Sequence, residues 1–352
     1  MSVGIIIMGL GFVFMHFASV EFQRDGYSGM RWLFLAYLFH TIGELCASPV
    51  VLSFITKLSP LNSLSTIMGI YFATIGLGNI ANHHLKSFKK LLNCKLKGIA
   101  SRNLENLKNF KKNINVDEKF CFNNYEDLIK NSEIDIIYIA LPNSCHYEWI
   151  NKCIDYDKHI LVEKPITENF FQLEKIKNKL LQKKSNVLIY EGFMYKYHSQ
   201  IKKVLDLVND NEIGEIKKII SSFGINLITK KYFWIFKKKK KIDKESRLFN
   251  KKLGGGCILD LGCYPVSFIT MLLEKLNFIN FEDYKVLNKK VEIGETGVDI
   301  DSKIEMKVNG KITVELSSSF KKNIGSATEI HGSRGSIEII NTWTGSPSII
   351  LK

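Results

Sequence analysis

The sequence predicts an α/β protein in which two apolar N-terminal helices precede a doubly wound parallel sheet and a second, α+β domain. Residues 1–85 carry only six charged side chains, whereas Lys, Asn, Asp and Glu are dense from Lys86 onward. From residue 70 short β-branched strands alternate with helical patterns, and after Tyr190 strands follow one another with turns between them. We therefore expect three domains, at residues 1–66, 67–190 and 191–352.

The first domain has the hydropathy of membrane helices. Met1–Val20 contains no charged residue and Trp32–Ile55 contains only Glu44, and roughly 20 apolar residues suffice to span a bilayer. The start Met-Ser-Val lacks the basic region that opens a signal peptide. We expect two transmembrane-type helices that embed residues 1–60 in a membrane if the chain is translated as written.

Thr41–Pro49, with the sequence TIGELCASP, and the following Leu52–Leu58 resemble the tenth helix of proton-coupled oligopeptide transporters. The resemblance implies that Glu44 faces the amino end of a peptide, and it departs at Val51, where that family usually has glycine. Transport of this kind needs two helical bundles that rock about a central site. Two helices cannot form them, so we expect a non-transporting fragment.

The composition of the chain argues against two classes of partner, nucleic acids and metal ions, for the residues that follow the first domain. The chain has 49 Lys and Arg against 35 Asp and Glu, a net charge of +14, but no nucleic-acid recognition motif accompanies the charge. We expect no nucleic-acid partner and interpret Lys237–Lys241 as a solvated loop. The seven cysteines show no C-x-x-C pair and no zinc-ligand spacing, which predicts reduced thiols, no metal site and a cytoplasmic location for this part.

The strand predicted at Ile70–Ile75 runs into the sequence GLGNIA and then into a helical pattern. A strand, a G-x-G-x-x-A turn and a helix form the context of a dinucleotide-binding site. The glycines allow a tight turn and close backbone approach, and the helix N-terminus offers free N–H groups to a pyrophosphate. We assign Gly76, Gly78, Asn79 and Ile80 to a nicotinamide dinucleotide.

The second strand, Cys94–Ala100, ends in Ser101 and Arg102. The acidic residue that usually selects NAD at this place is absent, and a hydroxyl and a guanidinium suit a 2′-phosphate instead. The pair favours NADP, with NAD possible, and the alternative is a surface arginine.

Three more predicted strands end in polar motifs. The carboxyl ends of parallel strands meet at one edge of the sheet, where ligands bind. Ile134–Ala140 leads into LPN and His146, His159–Val162 into EKP, and Val187–Tyr190 into EGFMY. We assign to the cofactor the side chains of Leu141, Pro142, Asn143, His146, Glu163 and Lys164.

Hydride transfer between a carbinol carbon and a nicotinamide also requires a proton to move at the oxygen. Tyr264 can exchange that proton if a nearby cation lowers its pKa, and Lys164 is the candidate cation. Asp260 lies four residues before Tyr264, a spacing that places both on one helical face. Taken singly, Lys164 also fits a surface turn and Tyr264 also fits simple packing.

The segments IGLGNIA, ALPNSCHYE, VEKP, EGFMYKYH and GGGCILDLGCYPV, from about residue 70 onward, resemble the Gfo/Idh/MocA oxidoreductases in order and approximate spacing. Tyrosine in the last motif is typical of the branch with glucose–fructose oxidoreductase, dihydrodiol dehydrogenase and NADP-dependent xylose dehydrogenases. The resemblance implies an NAD(P)-dependent enzyme that moves a hydride to or from a sugar, polyol or dihydrodiol. It implies that Lys164 is the cation and proton-relay partner and that Tyr264 is the general acid/base. It also implies that Asp260 orients the substrate or the tyrosine and that His146 lies near the nicotinamide.

In the last domain we predict an open antiparallel sheet. Its expected strands are Lys217–Phe223, Ser302–Val308, Lys311–Ser317 and Ser336–Ile340. Gly254–Gly256 introduce the helix with Asp260 and Tyr264, and Tyr232–Ile242 is the expected substrate-side loop. The resemblance implies a homodimer through this sheet and a chain that continues past Lys352. Two alternatives stay open: a transport protein with an inactive nucleotide-binding domain, and a sensor that binds the dinucleotide without turnover.

Overall fold

A computed structural model of the chain describes residues 16–24, 32, 35, 70–78, 80–82, 84, 94–232, 236–277, 280, 284–344 and 349–352. The chain divides into two compact units, one of Met1–Ile70 with Lys90–Lys95 and one of Tyr71–Lys89 with Leu96–Lys352. Residues 16–24 are helical. Most of the two predicted membrane helices, including Glu44, lies outside the described residues.

Six strands form a sheet in the order β3-β2-β1-β4-β5-β6. They are β1 Ile70–Ile75, β2 Cys94–Ala100, β3 Cys121–Phe122, β4 Ile136–Ile139, β5 His159–Val162 and β6 Ile189–Glu191. The pairs β1–β4, β4–β5, β5–β6 and β2–β3 are parallel. This is the order of a Rossmann sheet, which opens a crevice at its carboxyl edge where the strand order reverses. The predicted doubly wound parallel sheet is confirmed.

The four helices of this domain whose bounds the structure describes in full are α1 Leu104–Lys111, α2 Tyr125–Lys130, α3 Asn143–Asp155 and α4 Phe170–Lys183. Three of them follow an asparagine whose side chain accepts hydrogen bonds from first-turn N–H groups: Asn103, Asn124 and Asn169. Such a cap satisfies donors that a helix leaves unpaired and contributes about 1 kcal/mol. The asparagines therefore help to set where these helices begin.

The parallel sheet is covered on both faces. Ile137 and Ile139 of β4 share a buried cluster with Trp149 of α3, whereas Tyr138, between them, belongs to the cluster that contains Phe110 of α1. Successive side chains of a strand point to opposite faces. Both faces need apolar residues as a result, which explains the continuous apolar runs in the sequence.

The second sheet has seven strands in the order β10-β11-β12-β7-β13-β14-β15. They are β7 Ile216–Gly224, β10 Tyr284–Ile293, β11 Asp299–Val308, β12 Ile312–Ser319, β13 Thr328–Gly332, β14 Ser336–Ile339 and β15 Ile350–Leu351. The four predicted strands are β7, β11, β12 and β14. β7 and β12 run parallel, and the other registers are antiparallel. The sheet is thus mixed, because the long connection from β7 to β12 supplies the crossover that a parallel pair needs.

Two helices, α5 Ser199–Asn209 and α6 Cys263–Lys275, cover one face of this sheet. The helical stretch Lys251–Lys275, which includes α6, is the one stretch in the described part of the chain with the length and composition of a membrane span. Those properties alone are weak evidence, since Phe268 and Leu272 are fully buried against the sheet.

The opposite face of the second sheet carries charged side chains that form ion pairs with one another. Val314 and Leu316 of β12 point to the core, so Glu315 between them points away, where it binds Lys218 and Lys303 at 2.6 and 2.8 Å. Further pairs on β10, β11, β14 and the segments next to them join Lys321 to Glu292, Lys322 to Asp301 and Lys352 to Glu338.

The prediction of a loop at Tyr232–Ile242 is wrong for Tyr232 and for Phe236–Lys239, which lie on strands. A two-stranded hairpin, β8 Thr229–Tyr232 and β9 Phe236–Lys239, occupies this part of the chain, so Lys237–Lys239 lie on a strand and not in a solvated loop. Aromatic residues favour strands, and the aromatic residues Tyr232 and Phe236 are partners in the register of this pair.

Candidate active site at the carboxyl edge of the parallel sheet

The loop after β1 has the geometry of a dinucleotide-binding turn. Gly76 has a φ of +85°, and a Cβ at this position would overlap the carbonyl oxygen of Ala140, so glycine is required. Among the residues that the structure describes, nothing lies within 4 Å of the place where a Cβ of Gly78 would be. This backbone precedes helical residues 80–82 and can receive a ligand. Ile80 packs beside the cluster below the loop, and Asn79 lies outside the described residues.

At the end of β2 the two predicted cofactor residues differ in exposure. Ser101 is 3% exposed, and its Oγ accepts a hydrogen bond from the Asn103 N–H at 3.1 Å. Arg102 is exposed, with its guanidinium carbon 5.3 Å from the ring centroid of Tyr125. Stacking on an aromatic ring orients a guanidinium without using its N–H donors. Arg102 is therefore the member of the pair that faces solvent at this edge.

The motif after β4 holds loops together. Asn143, the first residue of α3 after Pro142, donates from Nδ2 to the carbonyl of Gly254 at 2.9 Å. The His146 ring lies between two carbonyls, with Nδ1 2.8 Å from Pro165 O and Nε2 2.9 Å from Leu141 O. Burial lowers the pKa of His146, and its side chain is 0% exposed. A neutral imidazole has one N–H, so His146 donates to one of these two carbonyls, and its buried ring packs between the loops after β4 and β5.

Glu163 and Lys164 follow β5. The Glu163 carboxylate accepts a short hydrogen bond from the Tyr138 hydroxyl and lies 3.9 Å from Nε2 of His84. The Lys164–Pro165 peptide is cis, and the next N–H, that of Ile166, donates to Glu191 Oε1 at 2.8 Å. Burial raises the pKa of Glu191. Glu191, at the end of β6, therefore buttresses the turn that presents Lys164.

Lys164, which follows β5 of the first sheet, contacts Asp260, which precedes the α6 helix of the second sheet. Its Nζ donates to the Asp260 carbonyl at 2.6 Å and to Oδ1 at 3.2 Å, and both side chains are 13% exposed. The same Oδ1 accepts from Arg247 at 3.0 Å. Asp260 thus joins two cations, and Arg247 is a site residue that no sequence motif indicated.

Asp260 does not lie on a regular α-helix, as the four-residue spacing predicted, but on a π-helical turn, Ile258–Gly262, directly before α6. Asp299 of β11 holds this turn: its Oδ2 accepts from the Ile258 N–H at 2.6 Å, and its carboxylate occupies the space that a Cβ of Gly256 would need. Wide π-turns of this kind are frequent at functional sites. Here the turn directs both the carbonyl and the carboxylate of Asp260 to Lys164.

Tyr264 lies in the first turn of α6 inside an aromatic cage. Its ring contacts those of Phe193, Tyr195, Phe223 and Trp343 at centroid distances from 5.3 to 6.0 Å. Lys164 Nζ stands 4.9 Å from the Tyr264 ring centroid. The structure thus brings Lys164, Asp260 and Tyr264 together.

The expectation that Lys164 lowers the pKa of Tyr264 is wrong in this structure. Burial raises the pKa of the phenol, and the neighbouring Cys263, Glu163 and Asp260 act in the same direction. Lys164 faces the ring and bonds to Asp260, so its charge is already balanced by the carboxylate. The neutral phenol is therefore the dominant form of Tyr264 near pH 7.

Three family models match the chain. The oxidoreductase family with an NAD-binding Rossmann fold, GFO_IDH_MocA, matches residues 70–192, and the GFO/IDH/MocA C-terminal domain matches residues 201–338. The POT family matches residues 1–101, in agreement with the transporter resemblance of the N-terminal segment.

Among curated proteins, the trans-1,2-dihydrobenzene-1,2-diol dehydrogenase of Xenopus tropicalis is 30% identical over 276 residues, which cover 78% of this chain and 76% of the relative. The dTDP-3,4-didehydro-2,6-dideoxy-α-D-glucose 3-reductase of Saccharopolyspora spinosa is 30% identical over 221 residues, 62% of this chain and 60% of the relative.

Solved structures share the fold. A mutant of KijD10, a 3-ketoreductase from Actinomadura kijaniata in complex with TDP-benzene and NADP, superposes with a TM-score of 0.67 at 22% identity over 81% of both chains. The aldose-aldose oxidoreductase of Caulobacter crescentus, complexed with glycerol, gives 0.67 at 19% identity over 80% of both. The predicted oxidoreductase is thereby confirmed over the transport protein as the main interpretation. The chain belongs to the Gfo/Idh/MocA oxidoreductase family.

Proposed function

We propose that the chain is an NADP-dependent oxidoreductase that interconverts a carbinol and a carbonyl carbon of a sugar, polyol or dihydrodiol. The observation that carries the proposal is the convergence of Lys164, Asp260 and Tyr264 at the carboxyl edge of a dinucleotide-binding sheet. The names of the relatives, a diol dehydrogenase and a sugar 3-reductase, supply the substrate classes.

The residues present fit a nicotinamide dinucleotide. The backbone between Gly76 and Ile80 would hold the pyrophosphate, because no side chain of the described residues lies over Gly78. Arg102 would contact the 2′-phosphate, and Leu141, Pro142 and Glu163 would line the nicotinamide end. When NADP is bound, its nicotinamide supplies the hydride donor or acceptor.

The chain's own residues handle the proton. Tyr264, held neutral by its raised pKa, donates a proton to the substrate oxygen as the carbonyl is reduced. Lys164 hydrogen-bonds the same oxygen and, with Asp260, fixes its position. Asn143, His146 and Glu191 act indirectly, since each holds one of the loops that present these groups.

The test is an assay of the purified chain with NADPH and a panel of aldoses, ketoses, polyols and dihydrodiols. We expect turnover of at least one class, and we expect reduction to be nearly independent of pH between about 6 and 9, because the phenol stays protonated below its raised pKa. Oxidation needs the phenolate, so its rate should rise about tenfold per pH unit over this range. Absence of any turnover while NADPH binds would favour the sensor alternative.

Arg102 is proposed to select NADP. We expect Arg102→Ala to weaken NADPH binding by about 1–3 kcal/mol, the value of a charge-assisted hydrogen bond, and to leave NADH binding nearly unchanged. Calorimetric titration of both nucleotides measures the difference, with Lys108→Ala on the exposed side of α1 as a control of equal charge change. Equal affinity of the parent for NADPH and NADH would show that Arg102 does not contact the 2′-phosphate.

We also propose the division into residues 1–66, 67–190 and 191–352, with a cytoplasmic catalytic part. Five cysteines are free thiols, in keeping with that location: Cys121, Cys145, Cys153, Cys257 and Cys263. The match of residues 1–101 to the POT family supports membrane attachment through the first segment, but two helices provide no transport path. A homodimer through the second sheet would join its polar, ion-paired face, and we expect such an interface to weaken with salt.

A further inference from the structure

The segment between β9 and the glycine triplet concentrates positive charge and reaches Asp260 through Arg247. Residues 240–252 contain six cationic side chains, Lys240, Lys241, Lys244, Arg247, Lys251 and Lys252, against Asp243 and Glu245. All six are exposed, and in the part of the chain that the structure describes only Arg247 of the six forms an ion pair.

Several lysines elsewhere in this domain form ion pairs with carboxylates. On the polar face of the second sheet, Lys218 and Lys303 share Glu315, and Lys322 pairs with Asp301. The lysine-rich composition of the chain therefore does not by itself account for residues 240–252, whose net charge is +4 and whose five lysines form no ion pair among the described residues. Unbalanced charge of one sign beside a cleft raises the local concentration of counter-charged ligands.

The segment is fixed in place and not merely tethered. The Lys240 N–H donates to the carbonyl of Ile228 at 2.9 Å, and Phe249 is only 8% exposed. Gly255 packs so closely that a Cβ would lie 2.8 Å from the carbonyl of Arg247. The adjacent Gly254 accepts the hydrogen bond from Asn143 in the dinucleotide-binding domain.

Arg247 links this charge to the reacting groups. Its NH1 lies 3.0 Å from Asp260 Oδ1, the oxygen that is also 3.2 Å from Lys164 Nζ. The Arg247 side chain is 55% exposed, so the guanidinium presents surface to solvent while one end is held. An anion bound to the exposed part of this guanidinium would be separated from Lys164 by the Asp260 carboxylate, which contacts both cations.

We propose that residues 240–252 bind the phosphate of a phosphorylated sugar or polyol, whose reacting carbon lies at Lys164 and Tyr264. The inference rests on the proposed function and narrows its substrate class. A phosphate monoester carries a charge of about −1.5 to −2 near pH 7, and arginine matches its geometry with paired N–H donors. Lys251 and Lys252 add two positive charges at the C-terminal end of the segment, next to Gly254.

Matched substrate pairs test this directly. The full chain is assayed with NADP(H) on glucose and glucose 6-phosphate, and on xylose and xylose 5-phosphate. We expect the phosphorylated member to have a higher kcat/KM by on the order of tenfold or more at low salt, and the ratio to fall as salt screens the charges. Equal kcat/KM within both pairs would overturn the proposal.

The double variant Lys251→Ser/Lys252→Ser removes two charges that make no contact with Asp260 in the structure. We expect it to reduce the phosphorylated-to-neutral ratio of kcat/KM by about tenfold, with NADPH affinity as the independent check on folding and cofactor binding. Lys202→Ser/Lys203→Ser, on the exposed side of α5, makes the same charge change elsewhere. An equal fall of the ratio in this control would overturn the assignment to residues 240–252.

Calorimetry separates this inference from the proposed function. If the NADP-loaded chain turns over no sugar but binds glucose 6-phosphate more tightly than glucose, the proposed function fails and the anion site stands. Equal binding of the two sugars overturns the site. Binding of a single-stranded oligonucleotide together with equal sugar affinities would assign the charge to a nucleic acid instead.

Discussion

Tyr264→Phe is expected to lower turnover by about 10²–10⁴-fold, the contribution typical of general acid–base catalysis. The substitution keeps the ring in its cage of Phe193, Tyr195, Phe223 and Trp343. It removes the one hydroxyl that we propose to exchange a proton with the substrate oxygen. Binding of NADPH should change little, because no cofactor contact is assigned to this hydroxyl.

Tyr195→Phe provides the matched control. Tyr195 is a neighbour in the same cluster, and its hydroxyl hydrogen-bonds to Ser267 Oγ at 3.0 Å, which is not one of the proposed reacting groups. Its loss should cost about 1 kcal/mol of stability, measured by thermal unfolding, with turnover within a few-fold of the parent. If Tyr264→Phe kept more than about half of the parental rate, Tyr264 would not be the general acid.

The dinucleotide-binding half of the site was predictable from sequence because its requirements are local. Gly76 must be glycine, since its φ of +85° and the nearby Ala140 carbonyl exclude a side chain. Strand ends such as those before Glu163 and Asn143 meet at one edge by the topology of a parallel sheet. A short pattern of residues is enough to indicate each of these.

The rest of the site depends on contacts between distant segments. Arg247 reaches Asp260 over a separation of 13 residues, in a segment that packs closely against Gly255, and no pattern around Arg247 indicates this. The π-turn at Asp260 depends on Asp299 from another strand, so the expected helical spacing was misleading. The pKa of Tyr264 depends on its burial in an aromatic cage, which the motif does not contain.

Lys164→Met is the second large effect that we expect. Lys164 Nζ donates two hydrogen bonds to Asp260 and stands over the Tyr264 ring, so its removal leaves the substrate oxygen without its cationic donor. Turnover should fall by about 10²-fold or more. Without Lys164 the Asp260 carboxylate, which acts to raise the pKa of the Tyr264 phenol, is paired with Arg247 alone. That pKa should therefore rise further, and oxidation should lose more rate than reduction at neutral pH.

A second buried lysine, Lys158, provides a control that distinguishes a loss of catalysis from a loss of stability. Lys158 donates to the carbonyls of Asn131 and Ile134 at 2.7 Å, so Lys158→Met should lower the melting temperature with little effect on the turnover of the folded fraction. Tyr264→Phe/Lys164→Met should be little slower than the slower single variant, because residues that act as one unit are not additive. Rate losses that instead multiply, measured on the same substrate at saturating NADPH, would show that Lys164 and Tyr264 act independently. That result would replace the shared proton relay with two separate contributions, one to binding and one to proton transfer.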